Sequence, residues 1–334
     1  MRAAVYEVYG GPEVVAVRDV PTPVPGAGQV LVRVRASTVN SGDARMRAAR
    51  FPAGFALMAR LFFGVRRPRR KILGVVFAGE IAALGSGVEG ARAGGEAGGR
   101  AGGQAGGEAW AVGDRVAGMT GAKVGCHAEF VVADCKKLSR VPEGVGIEEA
   151  AAALFGGTTA LTFVRDKVRV QAGERVLVNG AAGSVGVAAV QLADRAGGHV
   201  TGVCSAGNGE RVRALGAAAV IDYARTPLER HTERYDVVID TVGNLGIAGG
   251  KRLLAPGGRL ALVAAGLGDT IRARGAVSAG TAVESAANFD DVLAMVERGE
   301  LNPVISERLP LERIAEAHAL VDTGHKVGNV VITP

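Results

Sequence analysis

The chain has 334 residues, of which 48% are hydrophobic, 22% charged and 4% aromatic, and its formal net charge is +6. That balance suits a folded protein of two domains at roughly 150 residues each and excludes a disordered chain; so few aromatics argue against a binder that stacks single-stranded nucleic acid. The basic excess fits a phosphate-bearing cofactor as well as nucleic acid and does not choose between them.

Residues 1–10 and 29–37 read as strands, the second with Val30, Val32 and Val34 on one face and Leu31, Arg33 and Arg35 on the other. Pro21, Pro23 and Pro25 make the link between them a loop. The stretch 51–63, apolar with Met58 and Leu61, reads as a lid over a substrate cleft rather than a membrane contact. Arg66, Arg67, Arg69, Arg70 and Lys71 surround Pro68. Such a run reads first as a solvated loop, with an anion, acidic-lipid or RNA patch as the alternative. Further strands are expected at 73–84, 114–119 and 128–132. Among them, residues 93–109 contain four tandem A-G-G-x units. Without large apolar side chains that tract cannot offset its ordering entropy, so a flexible insertion is expected.

From about residue 150 the pattern changes. Helical stretches alternate with short apolar strands at 175–179, 200–204, 219–221, 236–240 and 259–264. This is the pattern of parallel βαβ units with helices on both faces of a sheet. The last residues return to strand, helix, strand at 303–309, 311–322 and 328–333, which lets the chain rejoin its first domain. No apolar run approaches the ~18 residues of a membrane helix, and Glu7 interrupts the start where a signal peptide needs an apolar core. A cytoplasmic protein without membrane contact is expected. The three cysteines, Cys126, Cys135 and Cys204, are odd in number and lack C-x-x-C spacing, which excludes a disulfide framework and an all-cysteine zinc site.

The sharpest signal is the turn Gly180-Ala181-Ala182-Gly183-Ser184-Val185-Gly186 between a strand and a helix. A small residue permits a tight turn at Ala181, Gly183 lets the main chain approach a pyrophosphate, and Gly186 allows close helix–strand packing. The helix N-terminus then offers N–H groups to phosphate. The next strand ends at Cys204 and Ser205, with no carboxylate before Glu210 to bond a ribose 2′-hydroxyl. Ser205, Asn208, Arg211 and Tyr223 could instead receive a 2′-phosphate, which points to NADPH over NADH. For Arg211 a solvated helix face is an equal reading.

With RAAVYEVYGGPEVV, VRVRASTVNSGDARMR, AAALFGGTTALTFV, VLVNGAAGSVGVAAVQLA, YDVVIDTVGN and PLERIAEAHALVDTGHKVGNVVI, the chain resembles the medium-chain dehydrogenase/reductase superfamily, in its zinc-independent quinone-oxidoreductase-like branch. The resemblance implies an α/β fold: a GroES-like β-rich catalytic domain built from both termini (1–150 and 298–334) plus a Rossmann doubly wound parallel-sheet domain (151–297), with the cleft between. It implies that Asn40 and Asp43 face the nicotinamide end, and that Gly157 and Thr159 lie near the phosphates and nicotinamide. It assigns the pyrophosphate to Asn179 and to Ala181, Ala182, Gly183, Ser184, Val185 and Gly186. Ser205, Asn208 and Tyr223 would surround the adenosine phosphate. Val242 and Gly243, then Ala264, Ala265 and Gly266, would follow later strand ends, and Lys326, Gly328, Asn329 and Val330 would close over the site. A homodimer through the Rossmann sheet edge is a further implication.

The resemblance also implies no zinc. Zinc-dependent relatives place ligands where this chain has Asn40, Val75 and Val76, and again near Phe155. The neighbours Cys126 and His127 would point to opposite faces of a strand and make a poor chelate. Without Lewis-acid help a substrate must be electrophilic, as quinones and α,β-unsaturated carbonyls are. Asn40 could then donate to the substrate oxygen. Asp43 is expected to fix the loop or orient Asn40, since nothing in its sequence neighbourhood would hold it protonated. Its five histidines read as surface or packing residues. The alternatives are an enoyl-thioester reductase and a non-catalytic nucleotide- or RNA-binding protein.

Overall fold

The computed structural model describes residues 1–88 and 109–334. The Ala/Gly tract at 93–109, apart from its last residue, lies outside the described residues. Strands β1 (Arg2–Val5) and β2 (Ala16–Asp19) form an antiparallel pair. They are followed by the long β3 (Gln29–Val39), α1 (Ser41–Arg47), α2 (Ala56–Phe63), β4 (Val76–Leu84), β5 (Arg115–Met119), β6 (Phe130–Asp134) and β7 (Leu138–Arg140). Helix α3 (Ile147–Leu161) leads into an alternating series: β8 (Arg175–Asn179), α4 (Ser184–Arg195), β9 (His199–Cys204), α5 (Gly209–Ala214), β10 (Ala219–Asp222) and β11 (Tyr235–Asp240). The series continues through α6 (Gly246–Arg252), β12 (Leu254–Leu262), α7 (Leu267–Arg272), β13 (Val277–Ala279) and α8 (Ala286–Glu297). Then come β14 (Ile305–Pro310), α9 (Ile314–Asp322) and β15 (Asn329–Thr333).

The series from β8 to β13 builds one parallel sheet in the order β10-β9-β8-β11-β12-β13. Its order reverses between β8 and β11, and in such doubly wound sheets ligands bind outside the carboxyl ends of the strands at that reversal. The central strands are continuous apolar runs because helices cover both faces: Val176, Leu177, Val178, Val237, Val238 and Ile239 are all fully buried. A second sheet runs β14-β15-β3-β4-β5-β7, with β6 also on β3. There the C-terminal β15 lies antiparallel to β3, so the end of the chain returns to the sheet built by β3–β7. The alternation of β3 is kept: Val30, Val32 and Val34 are buried and Arg33 and Arg35 exposed.

Helix α3 joins the two layers. Its small residues bring it close to its neighbours: a Cβ on Gly156 would lie 2.3 Å from the Ser184 carbonyl oxygen, and one on Gly157 2.8 Å from Val292. Three differences from the sequence reading stand out. The short β2, β7 and β13, of three or four residues each, lack the alternation that would betray them. Strand β12 begins at Leu254 rather than 259, because a register shift against β11 absorbs Pro256 and Gly257. Finally, Leu57, Met58, Leu61 and Phe62 of α2 are exposed, and no residue of 51–63 lines the cavity described below, which corrects the expected lid.

Candidate cofactor and substrate cavity

A cavity of about 530 Å³ opens at the sheet reversal, between the two layers. Strand β8 delivers Asn179 to its floor, and the chain then reverses at Gly180 with φ +80, in the left-handed region. The tight turn expected at Ala181 falls one residue earlier. Ala181 is instead small for packing, since a Cβ on Gly202 would come within 3.0 Å of it. Gly186 is held by its contact with the strand: a Cβ there would sit 2.0 Å from the Gly180 carbonyl oxygen. Gly183 differs, for a Cβ there would meet only the Gly180 oxygen at 3.5 Å, in ordinary contact. Space that a side chain would fill is left beside the start of α4, whose first turn has no side-chain cap. Ala182, Gly183, Ser184 and Val185 line the cavity.

Asp240, which the sequence reading missed, organises this floor. Fully buried at the end of β11, it accepts hydrogen bonds from Asn179 Nδ2 at 2.9 Å and from the backbone N–H groups of Val242, Gly243 and Leu245 at 3.0, 3.0 and 3.1 Å. Asn179 Nδ2 also donates to Asn244 at 2.7 Å, and Thr241 Oγ1 donates to the Asn179 carbonyl oxygen at 2.8 Å. A carboxylate ending an apolar strand, as in YDVVID, was the available signal.

At the β9 end, Asn208 Nδ2 donates to Ser205 Oγ at 3.0 Å, and both line the cavity with Cys204 and Tyr223. Arg211 does not line it, and Glu229, from the loop after β10, does. Val242 lines the cavity. Gly243 sits behind it against the Ala264 carbonyl oxygen, to which a Cβ would come within 2.5 Å. Ala264, Ala265 and Gly266 also lie outside the lining. Gly266 instead caps α7, whose Leu267 N–H donates to the Ala53 carbonyl oxygen at 2.8 Å. Gly157 and Thr159 are buried within α3, where Thr159 Oγ1 donates to the Phe155 carbonyl oxygen at 2.7 Å; of that segment it is Phe155 that reaches the cavity.

The opposite corner belongs to α1. Asn40 is its N-cap: Oδ1 accepts from the N–H groups of Gly42 and Asp43 at 2.8 and 3.2 Å, and Asp43 Oδ2 accepts from Asn40 N–H at 3.0 Å in return. Asp43 Oδ1 accepts from Gly74 N–H at 3.0 Å. Asn40 lines the cavity, 3% exposed, and its Nδ2 has no partner among the described residues. Asp43 is fully buried and outside the lining, so it touches the cavity through Asn40. Burial pushes its carboxyl up, while His127 and the two N–H donors pull it down less strongly. Behind it His127 and His318 are fully buried with ring centres 5.8 Å apart; burial, His127 and Arg47 pull His318 down to about 2, so it is neutral.

The C-terminal segment lies over the glycine turn. Gly328 N–H donates to the Ala182 carbonyl oxygen at 2.8 Å, and Ser184 Oγ donates to Asn329 Oδ1 at 2.6 Å. Gly328, Asn329 and Val330 therefore join the layers and do not line the cavity. Lys326 does, beside His325; burial pulls its ammonium down to about 8, and its Nζ donates to the Gly328 carbonyl oxygen. Arg45, one turn beyond Ser41, is a further cation at this corner that the sequence reading missed. Among the described residues no three His, Cys, Asp or Glu side chains gather to hold a metal, and Cys126 and His127 are both buried. The open space at Gly183 and the unpaired Asn40 amide, in one cavity, fit an extended dinucleotide with a polar group at its far end.

Residues 26–143 match the family described as alcohol dehydrogenase GroES-like domain, and residues 215–332 the family described as zinc-binding dehydrogenase. The chain is 29% identical to a quinone oxidoreductase of Pseudomonas aeruginosa, over 98% of each chain. It is 27% identical to a chloroplastic NADPH-dependent alkenal/one oxidoreductase of Arabidopsis thaliana, covering all of this chain and 80% of that one. The solved quinone oxidoreductase of Coxiella burnetii superposes with a TM-score of 0.84 at 27% identity, over 100% of this chain and 99% of that one.

Proposed function

This chain belongs to the medium-chain dehydrogenase/reductase superfamily, in its quinone-oxidoreductase-like branch, and on that premise we propose that it is an oxidoreductase that uses NADPH, without zinc, to reduce quinones or α,β-unsaturated carbonyls. The observation that carries this reading is the unpaired Nδ2 of Asn40, a buried amide donor in the same cavity as the glycine turn. A buried donor without a partner is costly, and a ligand oxygen would satisfy it.

The roles follow from position. The backbone of Ala182, Gly183, Ser184 and Val185 would hold the pyrophosphate, with Lys326 as the nearby cation. Ser205, Asn208 and Tyr223 would hold the adenosine phosphate. When bound, the reduced nicotinamide supplies a hydride to a carbon conjugated with the substrate oxygen. Asn40 Nδ2–H would donate to that oxygen as negative charge gathers there, the use of a preorganised donor that accelerates such steps most. Asp43 is a positioning residue: by gripping Asn40 N–H and Gly74 N–H it sets the Asn40 amide. The donor set supports a zinc-free site, because an amide and two valines stand where ligands would be needed. We take residues 1–150 and 298–334 as the catalytic unit and 151–297 as the cofactor unit.

Steady-state oxidation of NADPH and NADH against a panel of small quinones and enones tests this. At least tenfold higher kcat/KM with NADPH, insensitive to chelator, is expected. Loss of activity to a chelator with recovery on added zinc would overturn the zinc-free reading. Turnover confined to an enoyl-thioester would move the function to that substrate, and binding without oxidation would make the protein a non-catalytic nucleotide binder.

A further inference from the structure

Helix α2 is amphipathic in the wrong sense for a core element. At ~100° per residue, Leu57, Met58, Leu61 and Phe62 cover roughly 140° of its circumference, and they are 75%, 57%, 56% and 61% exposed. Its inner side is formed by Ala59 and by Phe63, which stacks on Phe51 with ring centres 6.1 Å apart. Val65, just beyond the helix, is 53% exposed as well. Clustered exposed apolar side chains mark an interaction site.

The charge around this face is equally one-sided. Between Arg50 and Lys71 the chain has seven Lys/Arg and no Asp or Glu. Of the whole chain's 39 Lys/Arg and 33 Asp/Glu, 32 and 33 therefore lie elsewhere, so the entire net positive charge resides in this one segment. Arg60, Arg66, Arg67, Arg69, Arg70 and Lys71 are all exposed. Among the described residues two of the seven are paired, Arg50 to Asp322 at 3.5 Å and Lys71 to Glu7 at 3.0 Å, while Arg69 donates to the Leu61 carbonyl oxygen at 3.0 Å.

We propose that α2 and the loop 64–71 form a docking surface for an anionic lipid bilayer. The apolar arc enters the boundary between headgroups and acyl chains, and the arginines meet anionic headgroups, the combination that holds interfacial helices on membranes. Lipid is favoured over RNA because three of the four protruding side chains, Leu57, Met58 and Leu61, are not aromatic and leave only Phe62 for a base to stack on. This surface is independent of the cavity and of the substrate reading, since no residue from 51 to 71 lines the cavity.

Co-sedimentation of the full-length protein with vesicles tests it. Binding to phosphatidylcholine vesicles containing phosphatidylglycerol is expected to be at least tenfold tighter than to phosphatidylcholine alone, and to weaken with salt. Leu61→Ser with Phe62→Ser should lower that binding at least fivefold at unchanged charge. Arg66→Gln with Arg67→Gln and Arg70→Gln should lower it about tenfold. Circular dichroism and NADPH titration serve as fold controls for both variants. No binding to the anionic vesicles, or binding indifferent to the Leu61/Phe62 change, overturns the proposal. So does preferential capture of a short single-stranded RNA, or a dimer in light scattering that the Leu61/Phe62 change dissociates, for these assign the face to another occupant.

Discussion

The glycine turn and the α1 corner share one cavity but are built by opposite means. The turn is made by consecutive residues whose backbone does the work: Gly180 reverses the chain, Gly186 packs, and Gly183 leaves room. The corner is made by side chains brought together from separate segments, with Asp43 linking Asn40 to Gly74, 31 residues on in the chain. A backbone cradle of this kind resists most substitutions but fails completely when a side chain enters its open space. A side-chain corner can lose one donor and still fold. Ligand affinity should therefore depend on the first, and turnover on the second.

The strongest test is Gly183→Val. Gly183 has φ −76 and no close neighbour to its Cβ, so the variant should fold and melt like the parent while losing measurable NADPH binding by fluorescence titration. Unchanged affinity would break the contrast at its root. Next comes Asn40→Ala, which should lower kcat about 100-fold, the usual effect of removing one preorganised donor, while leaving the NADPH Kd within about twofold, since only the α1 corner is changed.

A smaller effect concerns the support behind the corner. His318 is held near 2, far below its ordinary value, so between these limits the unfolded chain binds more protons and stability falls as pH drops below about 6.5. This one group can remove about 2 kcal/mol between pH 6.5 and 5. Asp43, whose carboxyl burial pushes up, works in the opposite sense. Urea unfolding at the two pH values should show a shallower loss for His318→Phe than for the parent; equal losses would relocate the titration. The least effect is expected at the turn's own cation. Lys326 is held near 8 and must be charged to meet phosphate, so NADPH affinity should fall about tenfold from pH 7 to 9, and Lys326→Gln should flatten that profile.

Helix α2 shows where one-dimensional information misleads. Its apolar residues suggest a cleft opposite, yet hydrophobicity along a chain states only that a face is apolar, not what lies against it. The expected role of Arg211 has the same origin: its side chain is cationic and near in sequence to Ser205, but α5 carries it outside the lining. Glu229 took a place there that no spacing announced.

What the sequence determined by itself is what neighbours along the chain can determine: the β8–turn–α4 unit, the alternation of β3, and the parallel series that follows residue 150. Period, glycine placement and chain reversal are local properties, governed by dihedral freedom and by which faces must be dry. Tertiary structure alone decided that Asp240 gathers Asn179, 61 residues away, and that Ser184 meets Asn329 across 145 residues. It also decided that the side-chain amide nitrogen of Asn40 is left without a partner among the described residues. Those facts depend on which distant groups satisfy a buried donor or acceptor, and only the folded chain brings such groups within hydrogen-bonding distance.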